Sequence, residues 1–167
     1  MLTRRRGLLA RVGHDLLLRV ESFEVRLEGD RVTAHADAAS LRVTGAIDAA
    51  ERVDTAALGA RDRADIEKNL NRDVLGSARW PRISYEGTWD RGPGRVTGEL
   101  TLCGERHPLE LAVRVLDGRA LARVELTPSR WGIRPYRALL GALEVEDRVT
   151  LRIDLRAAAG APAPAPG

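Results

Sequence analysis

Few of the 167 residues have side chains and spacing that could do chemistry. His14 and Asp15 could form half of an acid–base pair, but neighbours in a strand point to opposite faces. Cys103 is the single cysteine, so an intrachain disulfide is excluded, and a nucleophilic thiol would need a base beside it. Its place at a strand end suits a small packing residue better. Glu144 and Glu146 are paired carboxylates in a short polar loop and read as solvated. His14, His35 and His107 lie far apart without metal-ligand spacing, so no metal and no cofactor is expected. The sequence has no Gly-x-Ser-x-Gly elbow, phosphate-binding glycine loop or His-Glu-x-x-His pattern, and Gly92-Pro93-Gly94 is a turn. A non-enzymatic protein is the expectation.

Charge adds little. Basic residues number 27 against 24 acidic ones, a formal net charge of +3 that is close to balance. Arg95, Arg114, Arg123 and Arg152 alternate with Glu and Thr along their strands instead of forming one stripe. Single-strand binding needs basic residues interleaved with stacking aromatics, and aromatics are only 4% of the chain. Nucleic acid is therefore not an expected partner. Arg4, Arg5 and Arg6 could begin an export signal, but Arg11, His14, Asp15 and Arg19 interrupt every apolar run that follows. No run reaches the roughly 20 apolar residues of a spanning helix. The expectation is a cytoplasmic protein without stable membrane insertion.

The elements that must position these residues are strands. Ile83, Tyr85, Gly87 and Trp89 share one parity, as do Val96, Gly98, Leu100 and Leu102. Leu109, Leu111, Val113 and Val115 follow, then Ala122, Val124 and Leu126, and finally Val149, Leu151, Ile153 and Leu155. Period-two alternation of this kind marks antiparallel strands with one dry and one wet face. Gly29-Asp30, Gly104-Glu105 and Asp117-Gly118 read as two-residue hairpin turns, and residues 91–94 as a longer loop. Parity slips between Val20 and Phe23, and between Ala36 and Leu41, predict bulges or bends that let a sheet coil. About eight such strands close into a barrel without exposed edges. Residues 62–75 break the pattern, with Ile66, Leu70 and Val74 on a helical stripe, Asp62 as cap and Gly76 as terminator. This helix is expected to plug or flank one end of the barrel. Residues 1–156 form the domain, and residues 157–167, only Ala, Gly and Pro, are a disordered tail or linker.

An eight-stranded barrel is wide enough to hold one small ligand or to be filled by side chains. Gly87 and Gly98 fall on the apolar parity, with Ala34, Ala36 and Ala122, and aromatic filler is scarce. An apolar cavity for an extended guest is the expectation, with a filled core as the alternative.

Several stretches then resemble one family. Arg95-Val-Thr-Gly-Glu-Leu-Thr-Leu-Cys-Gly-Glu-Arg-His-Pro-Leu-Glu-Leu111 resembles a strand pair of the YceI-like, lipid- and polyisoprenoid-binding family of bacterial proteins. Gly132-Ile-Arg-Pro-Tyr-Arg-Ala-Leu-Leu-Gly-Ala-Leu-Glu-Val145, followed by Asp147-Arg-Val149, is similar to its closing segment. Asp62, Ile66, Leu70, Val74, Leu75, Trp80, Pro81 and Ile83 match its helix and next strand, and residues 12–18 its His-bearing first strand. The resemblance covers roughly residues 10–156. It implies a lipocalin-like barrel that binds a polyisoprenoid, an isoprenoid quinone or a fatty-acid-like chain. It implies no catalytic residues. Leu16, Leu18, Tyr85, Leu100, Leu102, Leu111, Val113, Val124 and Leu126 are the expected cavity lining. Trp131, Tyr136 and Leu140 are expected to gate its mouth. The alternative is a structural or protein-interaction module with a filled core; a homodimer is compatible with either.

Overall fold

The alternating runs become strands of one long antiparallel sheet. In the computed structural model, residues 1–6, 15–138 and 143–156 are described. The strands are β1 (Leu2–Arg6), β2 (Asp15–Val20), β3 (Phe23–Glu28), β4 (Arg31–Asp37), β5 (Leu41–Ile47) and β6 (Val53–Asp54). After the helix come β7 (Arg82–Asp90), β8 (Arg95–Leu102), β9 (Glu105–Leu116), β10 (Arg119–Leu126), β11 (Arg137–Ala138) and β12 (Leu143–Arg156). Their spatial order is β3-β4-β7-β8-β9-β10-β12-β1-β2-β5-β6, with β11 on β12. The sheet curls because β2 and β3 are two halves of one bent arm, and β4 and β5 of another. β2 pairs with β1 while β4 pairs with β7, so this single bent hairpin reaches both ends of the remaining sheet. The two predicted slips sit at its bends. β2 ends at Val20 and β3 begins at Phe23 on either side of Glu21–Ser22, and residues 38–40 form a 3-10 turn between β4 and β5; a further register shift at Leu17/Leu18 was not foreseen. Fold class and curling thus follow the parity of the sequence.

Turn chemistry follows it with one correction. Glu28 faces Arg31 across Gly29-Asp30, and Arg119 faces Leu116 across Asp117-Gly118, as expected. The third hairpin pairs Leu102 with Glu105, so its turn is Cys103-Gly104, one residue earlier than read. Both central residues have positive φ, 50° and 82°, the geometry that matches strand twist. The Cys103 thiol donates to the Leu75 carbonyl at 3.3 Å, which suits it to that strained position.

The helix is also modified. α1 runs Ala60–Asn69 with Gly59 as N-cap, so Asp62 lies inside its first turn instead of capping it. There its carboxylate still favours the positive end of the helix dipole. A π-turn at Leu70–Val74 follows, with the Leu75 amide donating to the Leu70 carbonyl at 2.9 Å. The extra residue rotates the stripe so that Leu70 and Leu75 both face Leu41 and Ile133 in one apolar cluster. Val20, Leu102 and Cys103 join it, and the helix end thereby packs against the turn ends of β5 and β8. Gly76, at φ 54°, ends the helical path as expected.

Three strands, β1, β6 and β11, were not legible in the sequence, and β12 begins at Leu143, so Glu144 and Glu146 lie in a strand and not in a loop. β1 inserts between β12 and β2, with Leu2 facing Thr150 and Leu17. β6 pairs with the end of β5 inside the segment read as a loop, residues 49–61. The predicted tail, residues 157–167, lies outside the described residues.

Candidate functional site

The inner face is carried by β4, β7, β8, β9, β10 and β12. Tyr85, Val96, Leu100, Leu111 and Trp131 form its buried cluster, against which Val32, Ala34, Ile83, Leu102, Leu109, Val113, Val124, Leu126 and Ile153 pack. Of the expected lining, Tyr85, Leu100, Leu102, Leu111, Val113, Val124 and Leu126 are therefore brought together. Leu16 and Leu18 belong to neither cluster; they face Ala46 and Val43 across the β2–β5 ladder. Val96, Ile83 and Leu109 went unnamed as lining, although they share the parity of residues that were named.

The glycines do not leave the space expected of them. Gly87 and Gly98 face each other across β7 and β8. A Cβ on Gly87 would sit 2.9 Å from the Tyr85 ring, its Oη and the Thr97 carbonyl. One on Gly98 would collide with the Glu86 carbonyl and lie 2.5 Å from the Gly87 Cα. The missing side chains make room for the Tyr85 ring and for close backbone contact, not for a guest. Across the gap, the Tyr85 hydroxyl donates to the Leu109 carbonyl at 3.0 Å. Burial, reinforced by the Glu110 charge, pushes this phenol up to about 12.

Trp131 is likewise a core residue where a gate was expected. The β9–β10 ladder stops at Val113/Ala122, whereas β10–β12 continues to Leu126/Val149. A 3-10 turn at Pro128–Trp131 fits beside the parted strands and packs on β9 and β12. Its Trp131 is 1% exposed, donates Nε1–H to the Leu100 carbonyl at 2.9 Å, and meets the His107 ring edge-on at 5.4 Å. The Tyr136 hydroxyl accepts from Asn69 Nδ2 at 3.2 Å, which ties it to the end of α1. Leu140 lies outside the described residues, as does His14.

Beyond this packed centre the apolar face continues uncovered. Phe23, Val25 and Leu27 of β3 face Ala36, Ala34 and Val32 of β4, which in turn face Ile83, Tyr85 and Gly87. Cross-strand partners share a face, so all nine positions lie on the inner side. Yet Phe23 is 54%, Val25 40% and Leu27 43% exposed. The strip is an apolar shelf with an open flank, floored by alanines beside the Tyr85 ring. Two open depressions lie elsewhere. One of about 590 Å³ is bounded by Asp30, Trp89, Arg91 and Thr97, and one of about 480 Å³ by Arg114, Leu121, Arg123 and Arg152. Neither is bounded by a residue expected to line the cavity.

The reactive candidates are spent on packing. Burial raises the Cys103 thiol, the opposite of what a nucleophile needs. His107 is held against Trp131. Among the described residues no His, Cys, Asp and Glu come together as a metal site. Three of the four outward arginines meet carboxylates: Arg95 pairs with Glu110 at 3.3 Å, and Arg123 and Arg152 both pair with Glu51. Among the described residues no helix is long and apolar enough to cross a membrane.

A curled antiparallel sheet with an apolar inner face and one helix against its end defines a lipocalin-like β-barrel class. The chain belongs to the YceI-like domain family, whose model matches residues 11–157. Among solved structures it is similar to a mutant CJ YCEI protein with a monobromobimane guest, at TM-score 0.59 and 12% identity, covering 84% of this chain and 83% of that one. A second mutant CJ YCEI protein shows the same coverage and identity at TM-score 0.58. Burkholderia cenocepacia BcnA matches at TM-score 0.49 and 12% identity, over 92% of this chain and 95% of that one. A comparison with curated protein sequences gives no significant match.

Proposed function

We propose that this protein binds the apolar chain of a lipid-like molecule, a polyisoprenoid, an isoprenoid quinone or a fatty-acid-like chain, without catalysing a reaction on it. The observation that carries the reading is the shelf of Phe23, Val25 and Leu27, an exposed extension of an otherwise buried apolar face. Covering it with an alkyl or prenyl chain gains about 25 cal/mol per Å² removed from water, less the cost of ordering the guest. Ala34 and Ala36 leave a shallow floor, and Tyr85 supplies a rigid wall. Family membership supports the ligand class. The raised thiol of Cys103 supports the absence of nucleophilic catalysis. The test is organic extraction and native mass spectrometry of the purified protein, with added polyprenyl alcohol as probe. A co-purifying lipid, or uptake of the probe that drops in a Phe23→Ser/Leu27→Ser variant, is the expected result. Absence of any lipid, with no thermal shift on adding the probe, overturns it.

A second reading, a filled barrel acting as a structural or interaction module, is favoured by the way the Tyr85 ring occupies the space over Gly87. The same experiment separates the two, since a filled module takes up no probe.

A further inference from the structure

Arginines that form no stripe along any single strand converge across three. In the β9–β10–β12 ladder Arg119 faces Leu116 and Arg156, Leu121 faces Arg114 and Asp154, and Arg123 faces Arg152. Cross-strand partners share a face, so Arg114, Arg119, Arg123, Arg152 and Arg156 lie together on the outer side. Among the described residues Asp154 pairs with Arg119, and Glu51 with Arg123 and Arg152, while Arg114 and Arg156 have no carboxylate partner. Like charges directly opposite one another weaken a ladder, and this one holds two such pairs, Arg119–Arg156 and Arg123–Arg152. Fold stability gives no reason for that arrangement; an anionic surface outside the protein does.

The same end of the sheet carries exposed apolar side chains. The β8–β9 ladder ends at Arg95/Ala112, and the Val113 amide still bonds the Gly94 carbonyl at 2.7 Å. Residues 114–116 run about 10 Å beyond that point with no described strand on the β8 side. The hairpin tip therefore projects, with Val115 51% and Leu116 59% exposed and pointing to opposite faces. We propose that this tip docks peripherally on an anionic lipid bilayer, with Val115 and Leu116 in the interface and the five arginines on headgroup phosphates. The depression of about 480 Å³ between Arg114, Arg123 and Arg152 would receive one such phosphate. Aliphatic side chains beside guanidinium groups match the boundary between acyl chains and charged headgroups. A nucleic acid would call for stacking aromatics, and residues 112–126 and 145–156 contain none.

The tip lies on β9 and β10, apart from the Phe23–Leu27 shelf, so the proposal does not rest on the lipid-chain reading. Vesicle flotation of the full chain tests it. Binding is expected to vesicles of equimolar phosphatidylcholine and phosphatidylglycerol, to be weak with phosphatidylcholine alone, and to be released by salt at about 0.5 M. Arg114→Glu should weaken binding by about tenfold or more through lost attraction to the charged surface. Val115→Ser/Leu116→Ser should weaken it by about tenfold or more through lost apolar burial. All three side chains are exposed, so both variants should fold. Arg106→Glu makes the same change in net charge at the other end of β9, where Arg106 pairs with Glu99, and should leave binding unaltered. Absence of binding to the mixed vesicles at low salt overturns the proposal, as does equal weakening by Arg114→Glu and Arg106→Glu. So does binding that survives Val115→Ser/Leu116→Ser, or tighter binding to a single-stranded oligonucleotide than to the mixed vesicles. Loss of polyprenyl uptake with vesicle binding intact would instead count against the lipid-chain reading alone.

Discussion

The Tyr85 phenol in β7 reaches across β8 and donates to the Leu109 carbonyl of β9 at 3.0 Å. It can do so because its own ring lies over Gly87, where a Cβ would be 2.9 Å away. One aromatic side chain thereby ties three strands and supplies the bulk that the glycine pair lacks.

Filling that space should be costly. Gly98→Ala brings a methyl group against the Glu86 carbonyl and the Gly87 Cα, rigid backbone that cannot rotate away. Denaturant unfolding is expected to show a loss of about 3 kcal/mol, at the upper end of overpacking effects. A near-neutral Gly98→Ala would mean that β7 and β8 are not in this register.

Tyr85 should also set an alkaline limit. Its phenol is pushed from 10.0 to about 12, so the folded state favours the neutral form. The stabilisation is complete below the unfolded value and is lost as pH rises from 10.0 to about 12. Tyr85→Phe should cost about 1 kcal/mol at neutral pH through the lost hydrogen bond, and the alkaline fall in stability should flatten. Denaturation midpoints measured from about pH 8 upward check both points.

Trp131 separates packing from hydrogen bonding. Trp131→Ala removes a buried indole between β9 and β12 and should cost about 3–5 kcal/mol. Trp131→Phe retains most of the volume but leaves the Leu100 carbonyl without its donor, a smaller loss of about 1–3 kcal/mol. Equal losses in the two variants would show that the indole N–H, and not its bulk, holds the parted strands.

Glu51 binds Arg123 and Arg152 from the turn after β5 and so links that turn to β10 and β12. Both arginines are about half exposed, which limits the pair energy through solvent screening. Glu51→Gln should therefore cost no more than about 1 kcal/mol, with the difference shrinking as salt is added. A salt-independent loss would contradict a screened surface network.

Much of the sheet could be read because strand parity is a local property. Ile83 to Trp89, Val96 to Leu102 and Leu109 to Val115 carry their inward face in their own alternation, and the bends between Val20 and Phe23 and at residues 38–40 appear as breaks in it. The strand Leu2–Arg6 could not be read the same way. Three successive arginines hide a strand whose Leu2 is buried only because β12 and β2 flank it. The helix carried a clear stripe, but its π-turn arises where Leu75 must reach the Leu41–Ile133 cluster, a requirement set by partners distant in sequence.

Of the residues expected to line a cavity, Tyr85, Leu100, Leu102, Leu111, Val113, Val124 and Leu126 share one apolar cluster, while Leu16 and Leu18 do not. Tyr85, Leu100 and Leu111 share an interior because their parity says so. Whether Gly87 and Gly98 open a void or admit a ring depends on a rotamer of Tyr85 and on a carbonyl two strands away. Likewise, Trp131 is assigned to the core by the parting of β9 from β10, a feature of pairing that no single strand encodes. The sequence by itself determined the antiparallel sheet, its turns, its apolar face and its family resemblance, since these depend on period-two patterning and short-range turn chemistry. Only the tertiary structure decided where that face is packed and where, at Phe23, Val25 and Leu27, it is left open, because exposure depends on which strands find partners.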